Sequence, residues 1–385
     1  MIRKVYFPGL NGVRFIAAFL VVIDHVELFK SYFNLRTLWS DTLSSRFGQF
    51  GVIIFFVLSG FLITYLLLVE KEYKGIHVKN FYIRRILRIW PLYFIILILG
   101  FFVFPQINLL DVPNYQNVGT NFVEKLLLFI FFLANVAFVF FPGVAYANVL
   151  WSVAVEEQFY LIWPNIIKYC RSIFKALFIA LFIYMFIKAC FFLNIFDFDD
   201  FWASKIYKLI DRTRFSAMII GGFGAFLLYN SWNKVLQFIY FPIIQVTSIL
   251  GLIGLVFFRN NTPLYRFFEN EVFSVLVAIL IVNIASNVNS ILKLENRYLD
   301  FLGKISFGFY VYHSVIAVIC IKVFIKFYPE TTFLYMIWSF CLILLVSLLT
   351  ILVSFLSYKF IEEKLLKRKY MFSNIESGDM VKKKE

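Results

Sequence analysis

The chain has 385 residues, 62% of them hydrophobic, with a mean hydropathy of +0.82 and a formal net charge of +14. A water-soluble domain of this length has no way to hide so much apolar surface, so a soluble fold is excluded and an all-α, polytopic membrane protein is implied. The positive charge reads as basic cytoplasmic loops rather than as a surface for nucleic acid, and no nucleic-acid partner is expected.

Eleven apolar segments fall near 10–29, 48–69, 84–104, 122–141, 150–168, 173–195, 213–230, 235–258, 272–292, 303–325 and 332–358. If all eleven span, the basic loop around Lys168, Arg171 and Lys175 and the basic C-terminal tail both face outward, against the positive-inside rule. If 122–141, which contains Asn135 and ends at Phe141-Pro-Gly143, is re-entrant or interfacial, about ten spans remain and both termini are cytoplasmic. The inside then holds 24 Lys/Arg against 12 outside, with Lys188 within a span. The stretch 203–214 stays basic on the outside (Lys205, Lys208, Arg212, Arg214), a departure from the rule unless those residues have a task. Residues 1–365 are expected to form one membrane domain and 366–385 a short disordered cytoplasmic tail, since that tail is polar and charged. No cleavable signal sequence and no internal repeat are apparent. Cys170, Cys190, Cys320 and Cys341 are scattered in or beside apolar helices, which makes them packing residues, and no metal site is expected.

Taken in chain order, several of these segments carry more than apolar residues. The first, RFIAAFLVVIDH (Arg14 to His25), has an arginine and a histidine eleven residues apart, on nearly the same helix face and about 16 Å apart along the axis. Arg14 alone reads as a snorkelling anchor, and a lone buried histidine is often a hydrogen-bonded core residue. An ionisable residue inside a membrane is equally a functional candidate, and imidazole suits general-base work on a hydroxyl. Asp24 lies about 100° around the helix from His25 and need not pair with it.

The second segment contains GVIIFFVLSGFLIT (Gly51 to Thr64), where Ser59-Gly60 permits close helix approach. The third, FYIRRILRIWPLYF, clusters Arg84, Arg85 and Arg88 at its start, with Arg85 and Arg88 neighbours on one face. They read either as positive-inside anchors or as a clamp for phosphate oxygens. LWSVAVEEQFYLIWP (Leu150 to Pro164) places adjacent Glu156 and Glu157 among apolar residues. A helix-start pair explains one carboxylate better than two. In FLGKISFGFYVYHSVI (Phe301 to Ile316), Ser306, Tyr310 and His313 form one helical stripe, either lining a tunnel or making an interhelical hydrogen-bond ladder. Glu362 and Glu363, near the end, earn only a structural reading.

These motifs, in this order, resemble the acyltransferase-3 family of bacterial membrane O-acyltransferases, over roughly residues 8–363. Arg14 and His25 match the Arg-x10-His of its first helix; Gly51 to Thr64 looks like its second; Arg85, Arg88 and Pro91 match its Arg-x-x-Arg…Pro. Leu150 to Pro164 is similar to its Glu-Glu-Gln block, with Ala154 in place of a serine. Arg214 matches an arginine before a Gly-rich helix, and Ser306, Tyr310 and His313 match its last motif.

The resemblance implies an O-acyltransferase of the bacterial inner membrane. The donor would be cytoplasmic acyl-CoA, acetyl-CoA by family precedent, with no permanently bound cofactor. The acceptor would be a hydroxyl of a surface polysaccharide or lipid-linked glycan, such as an O-antigen or exopolysaccharide. The catalytic expectation is His25 as base, oriented by Glu156 or Glu157, the three lying together near the outer side. Donor binding is expected from Arg14, Arg85, Arg88, Ser306, Tyr310 and His313, and acceptor binding from Arg214. Ser59 and Ser306 are conceivable acyl carriers. A rival reading from another class is a glycan or acyl transporter or flippase without chemistry. Membrane lipids are partners in either case, and oligomeric state is not legible.

Overall fold

Inside a bilayer every backbone polar group must find an internal partner, so apolar runs of this length fold as helices. In the computed structural model of the chain, which describes residues 4–39, 41–113, 119–258, 262–373 and 375–377, they do. In chain order the helices are α1 (Leu10–Tyr32), α2 (Asp41–Tyr73), α3 (Val78–Ile98), α4 (Phe122–Ile130), α5 (Ala134–Phe140), α6 (Leu150–Tyr169), α7 (Ile173–Phe192) and α8 (Asp200–Thr213). They continue as α9 (Phe215–Tyr229), α10 (Asn233–Tyr240), α11 (Pro242–Phe257), α12 (Pro263–Ser286), α13 (Arg297–Lys304), α14 (Ser306–Phe324), α15 (Thr332–Ser357) and α16 (Glu363–Lys369). The only strand pairing among the described residues is two residues long, β1 (Lys4–Val5) parallel to β2 (Glu376–Ser377).

Local sequence sets many of the ends. Ser172, Asn296 and Thr331 accept hydrogen bonds from the first-turn amides of α7, α13 and α15. Pro242 and Pro263 open α11 and α12 at a position where a missing N–H costs nothing.

Six helices among the described residues are long and apolar enough to cross a membrane, or seven if the pair Asp200–Tyr229 and Asn233–Tyr240, bent by 114°, counts as one span. The expected ten is therefore not reached on length and apolarity. Two of the missing candidates have a physical reason. α1 and α6 have 23 and 20 residues, about 35 and 30 Å of helix, but they carry the charged residues of the site described below. α11, with 16 residues, is about 24 Å long. The segment 122–141 breaks into α4 and α5, of 9 and 7 residues, around Phe132 at φ 56°, and neither piece can cross.

The outward faces suit hydrocarbon. Phe178, Phe182 and Phe186 on α7 are 58%, 62% and 60% exposed and lie on one stripe, an arrangement that water would penalise. The chain is a polytopic membrane protein on these grounds. All four cysteines are free; Cys190 and Cys320 pack inside as expected, but Cys341 is exposed.

α2 runs between α1 and α9. An added Cβ on Gly60 would sit 1.9 Å from Met218 O, and one on Gly221 would sit 2.0 Å from Val57 O, so α2 and α9 touch backbone to backbone. On its other side Gly51 approaches Ala17 O of α1. The start of the tail expected to be disordered is folded: α16 runs to Lys369, Ile375 is buried against Val5 and Val69, and β2 pairs with β1. The reason is that one apolar side chain and two backbone rungs suffice to dock it. Residues 378–385 lie outside the described residues.

Candidate active site

One cavity of about 270 Å³ opens among α1, α2, α3, α6 and α14. Arg14, Arg85, Arg88, Glu156, Ser306 and Tyr310, six of the residues singled out in the sequence, line it. They come from four helices, and the close α1–α2 contact brings the first of these against the rest.

Each has a definable setting. Arg14 Nη1 donates to Asn11 Oδ1 at 3.0 Å, one turn back on α1. The Arg85 guanidinium lies 5.6 Å from the ring centre of Phe81 and 5.7 Å from that of Tyr160. Its Nε is a buried donor without a partner among the described residues, the kind of orphan that an anion or water satisfies. Ser306 Oγ donates to Gly303 O at 2.8 Å, back across the start of α14. Tyr310 Oη donates to Val149 O at 3.0 Å and shares a hydrogen bond of 2.7 Å with Ser152 Oγ. Ser152, in the motif beside the glutamates, was given no role from sequence and proves to be a cavity residue. Glu362, read as structural, also faces the cavity.

His25 is not oriented by either glutamate. Its Nδ1 lies 2.7 Å from His313 Nε2, on α14, and its Nε2 lies 4.0 Å from Asp24 Oδ2. The expectation that Glu156 or Glu157 would orient His25 is therefore corrected; Asp24, which need not have paired with His25, comes to this 4.0 Å. Adjacent residues on a helix point about 100° apart, and this separates the two glutamates. Glu156 faces the cavity and its Oε2 accepts from Tyr160 Oη at 2.7 Å. Glu157 Oε2 accepts from Trp90 Nε1 of α3 at 3.0 Å, and its Oε1 is buried without a partner among the described residues.

With both rings neutral, the hydrogen-bond partners select one pair of tautomers. His313 Nδ1 lies 2.5 Å from Tyr310 O, and a carbonyl only accepts, so His313 carries its proton on Nδ1. The neutral His313 Nε2 is then an acceptor, so His25 must donate from Nδ1. The lone pair of His25 Nε2 is left outward, near Asp24. This is the tautomer that a general base requires. The His25 side chain is 23% exposed and His313 is fully buried, so His25 is the more accessible member of the pair, although it is not itself among the residues lining the cavity. His313 was expected on a donor tunnel; it sits one step behind the cavity instead, joined to it through the Tyr310 backbone.

Arg214 lies apart from the cavity. It occupies the turn between α8 and α9 at φ 46°, with Nη1 donating to Gln49 O at 3.3 Å and its guanidinium 5.9 Å from the Trp151 ring. A separate buried network lies nearby: Lys188 Nζ is 3.2 Å from Asp211 Oδ1 and 3.2 Å from Glu271 Oε2, and Ser216 Oγ donates to Glu271 at 2.9 Å.

Comparison with known proteins bears on this arrangement. A protein of Staphylococcus aureus (strain COL), named as a putative O-acetyltransferase, is 28% identical over 332 residues, covering 81% of this chain and 50% of its own length. The peptidoglycan O-acetyltransferase OatA of Listeria monocytogenes is 24% identical over 386 residues, covering 95% of this chain and 57% of its own. A Bacillus subtilis protein, YrhL, named as a putative peptidoglycan O-acetyltransferase, is 32% identical over 180 residues, 44% of this chain and 25% of its own. The chain spans about half the length of the first curated relatives it matches. No solved structure matches it. The family model described as an acyltransferase domain matches residues 7–356, a stretch that contains α1, α2, α3, α6 and α14, and the chain belongs to that acyltransferase-3 family.

Proposed function

We propose that this chain is a membrane O-acyltransferase that moves an acyl group, acetyl by the names of its relatives, from acyl-CoA to a hydroxyl of a cell-surface glycan. One observation carries the reading: a single cavity is lined both by Arg14, Arg85 and Arg88 and by Tyr310, whose backbone carbonyl accepts from His313, the partner of His25. Guanidinium groups suit the phosphates of CoA, and the pantetheine arm is the narrow part of the molecule that threads between helices. The peptidoglycan strand is the first acceptor to test, because two relatives are named for it.

In the reaction, His25 Nε2 takes the proton of the acceptor hydroxyl as its oxygen attacks the thioester carbonyl. The new C–O bond forms, the C–S bond breaks, and the leaving thiolate takes the proton from His25. His313 holds the His25 ring in register throughout and remains neutral. Arg14, Arg85 and Arg88 bind the donor, with Ser306 and Tyr310 along its path. Arg214, with Trp151 beneath it, contacts the acceptor. The membrane is the bacterial inner membrane, with about ten spans, the α4–α5 pair re-entrant, and both termini cytoplasmic, which puts the arginines on the side where acyl-CoA is made.

The test is mass spectrometry of O-acetyl esters on the surface glycans of the host, with wild-type protein and with His25→Ala at equal membrane abundance. The ester is expected to disappear in the variant. Ester at the wild-type level in the variant would remove His25 from the chemistry and the reading with it.

A further inference from the structure

Two further cations line the cavity: Lys304, the last residue of α13, and Lys369, the last residue of α16. With Arg14, Arg85 and Arg88 they make five basic side chains around one cavity, facing two carboxylates, Glu156 and Glu362. Both carboxylates have hydrogen-bond partners of their own, Tyr160 and Ser357. Gathering this much like charge in a partly closed space is unfavourable unless an anion occupies it.

The placement of Lys369 is built, not incidental. Beyond it the chain is tied down three times: Arg84 Nη1 donates to Phe372 O at 2.8 Å, Ile375 is 3% exposed against Val5 and Val69, and β2 pairs with β1. Arg84 is itself held by Glu70 Oε1 at 2.5 Å. Val5, Tyr6 and Phe7, which follow or belong to β1, are cavity residues, so the C-terminal segment is strapped across the cavity rim. A small recess beneath the strap is lined by Arg84, Arg85 and Lys369 among others, so Lys369 and Arg85 border both spaces.

The groups lining the cavity and its adjoining recess match in kind the groups of the donor. Tyr310 and Ser152 lie toward the histidine pair, where the thioester must arrive. Arg88 is one turn further into α3 than Arg85, and Arg84 and Lys369 lie at the strap. Acyl-CoA runs from thioester, through pantetheine and diphosphate, to the phosphorylated ribose.

We propose that Lys369, held over the cavity rim by the C-terminal strap, binds the ribose 3′-phosphate of the acyl-CoA donor and sets the preference of the enzyme for that phosphate. The proposal rests on acyl-CoA being the donor.

The experiment compares acetyl-CoA with acetyl-3′-dephospho-CoA as donors for the full chain in lipid nanodiscs, with cell-wall glycan as acceptor and thiol release as the readout. Wild type is expected to show a KM about tenfold lower for acetyl-CoA, the scale of one charge-assisted contact. Lys369→Gln raises KM for acetyl-CoA about tenfold, leaves KM for the dephospho donor within twofold, and leaves kcat for both nearly unchanged. Lys369→Arg keeps most of the preference. A strap with only a structural role would raise KM for both donors alike in Lys369→Gln, and that result overturns the proposal, as does a wild type indifferent to the 3′-phosphate. Failure of the underlying reading is distinguishable, because then neither donor releases thiol with wild-type protein.

Discussion

Replacing His313 with alanine tests the histidine pair most directly. His313 Nε2 is the acceptor, 2.7 Å away, that holds the Nδ1 proton of His25, and His313 is itself fixed by the Tyr310 carbonyl at 2.5 Å. Removing the ring leaves the His25 N–H without its partner and frees the imidazole to turn or to place its proton on Nε2, where it blocks the base. An unsatisfied buried donor costs about 1–3 kcal/mol, and loss of a positioned base lowers rates by about 10²–10⁴. A fall in kcat of about 10²–10³ is therefore expected for His313→Ala, with KM for acyl-CoA nearly unchanged, because the arginines proposed to bind the donor are untouched. The informative control is His313→Gln. A glutamine carboxamide oxygen reaches roughly where Nε2 of histidine lies, so it restores an acceptor for His25, and at least tenfold of the lost rate is expected back. The assay is the initial rate of thiol release with glycan acceptor. A wild-type kcat in His313→Ala refutes the tautomer argument. So does a glutamine variant as slow as the alanine one.

The packing makes its own predictions. Gly60→Ala puts a methyl group 1.9 Å from Met218 O and forces α2 and α9 apart, so a loss of about 1–3 kcal/mol is expected, read as a lower melting temperature in detergent. An unchanged melting temperature would mean that the two backbones are not in contact. Lys188→Met leaves Asp211 and Glu271 facing each other without their shared cation, at a cost of about 3–5 kcal/mol. The variant is expected to lose its monodisperse peak in size-exclusion chromatography, and Lys188→Met combined with Glu271→Gln and Asp211→Asn is expected to recover part of it.

The helices were largely legible in the sequence because their signal is local. The run 332–358 became α15, Thr332–Ser357, since apolar length alone specifies such a helix. The segment 122–141, read as re-entrant or interfacial, forms two helices too short to span, broken at Phe132 rather than at the polar Asn135, which lies inside α5. The cavity was half legible. Arg85 and Arg88 share a face by spacing, and Ser306 and Tyr310 follow the same rule, so their joint arrival at one wall follows from helix periodicity. The pairing of His25 with His313 was not legible, because 288 residues separate them and no single-helix periodicity says which face meets which. The two glutamates illustrate the same limit from the other side: adjacency in sequence invited one role for both, and helical geometry gave them two. Lys369 was hidden by its company, since a polar, lysine-rich run carries no apolar pattern, and the ties that dock it are one buried side chain, Ile375, and backbone contacts that no side-chain pattern announces.

The Lys188–Asp211–Glu271 network has a consequence for how this protein is made. Lys188 sits in α7 four residues before its C-terminal end, and a lone lysine there resists partition into lipid by less than the roughly 2.5–3.5 kcal/mol that one at a helix centre costs. Its neutralising partners lie on α8 and α12, and the farther of them, Glu271, is synthesised 83 residues after it. Helix α7 therefore gains its full stability in the bilayer only when α12 emerges from the ribosome, and until then it depends on the insertion machinery or on Asp211 alone. Half of the bundle must come together late and as a group, so truncations that stop before α12 are expected to expose Lys188 to quality-control proteolysis even though every upstream helix is present.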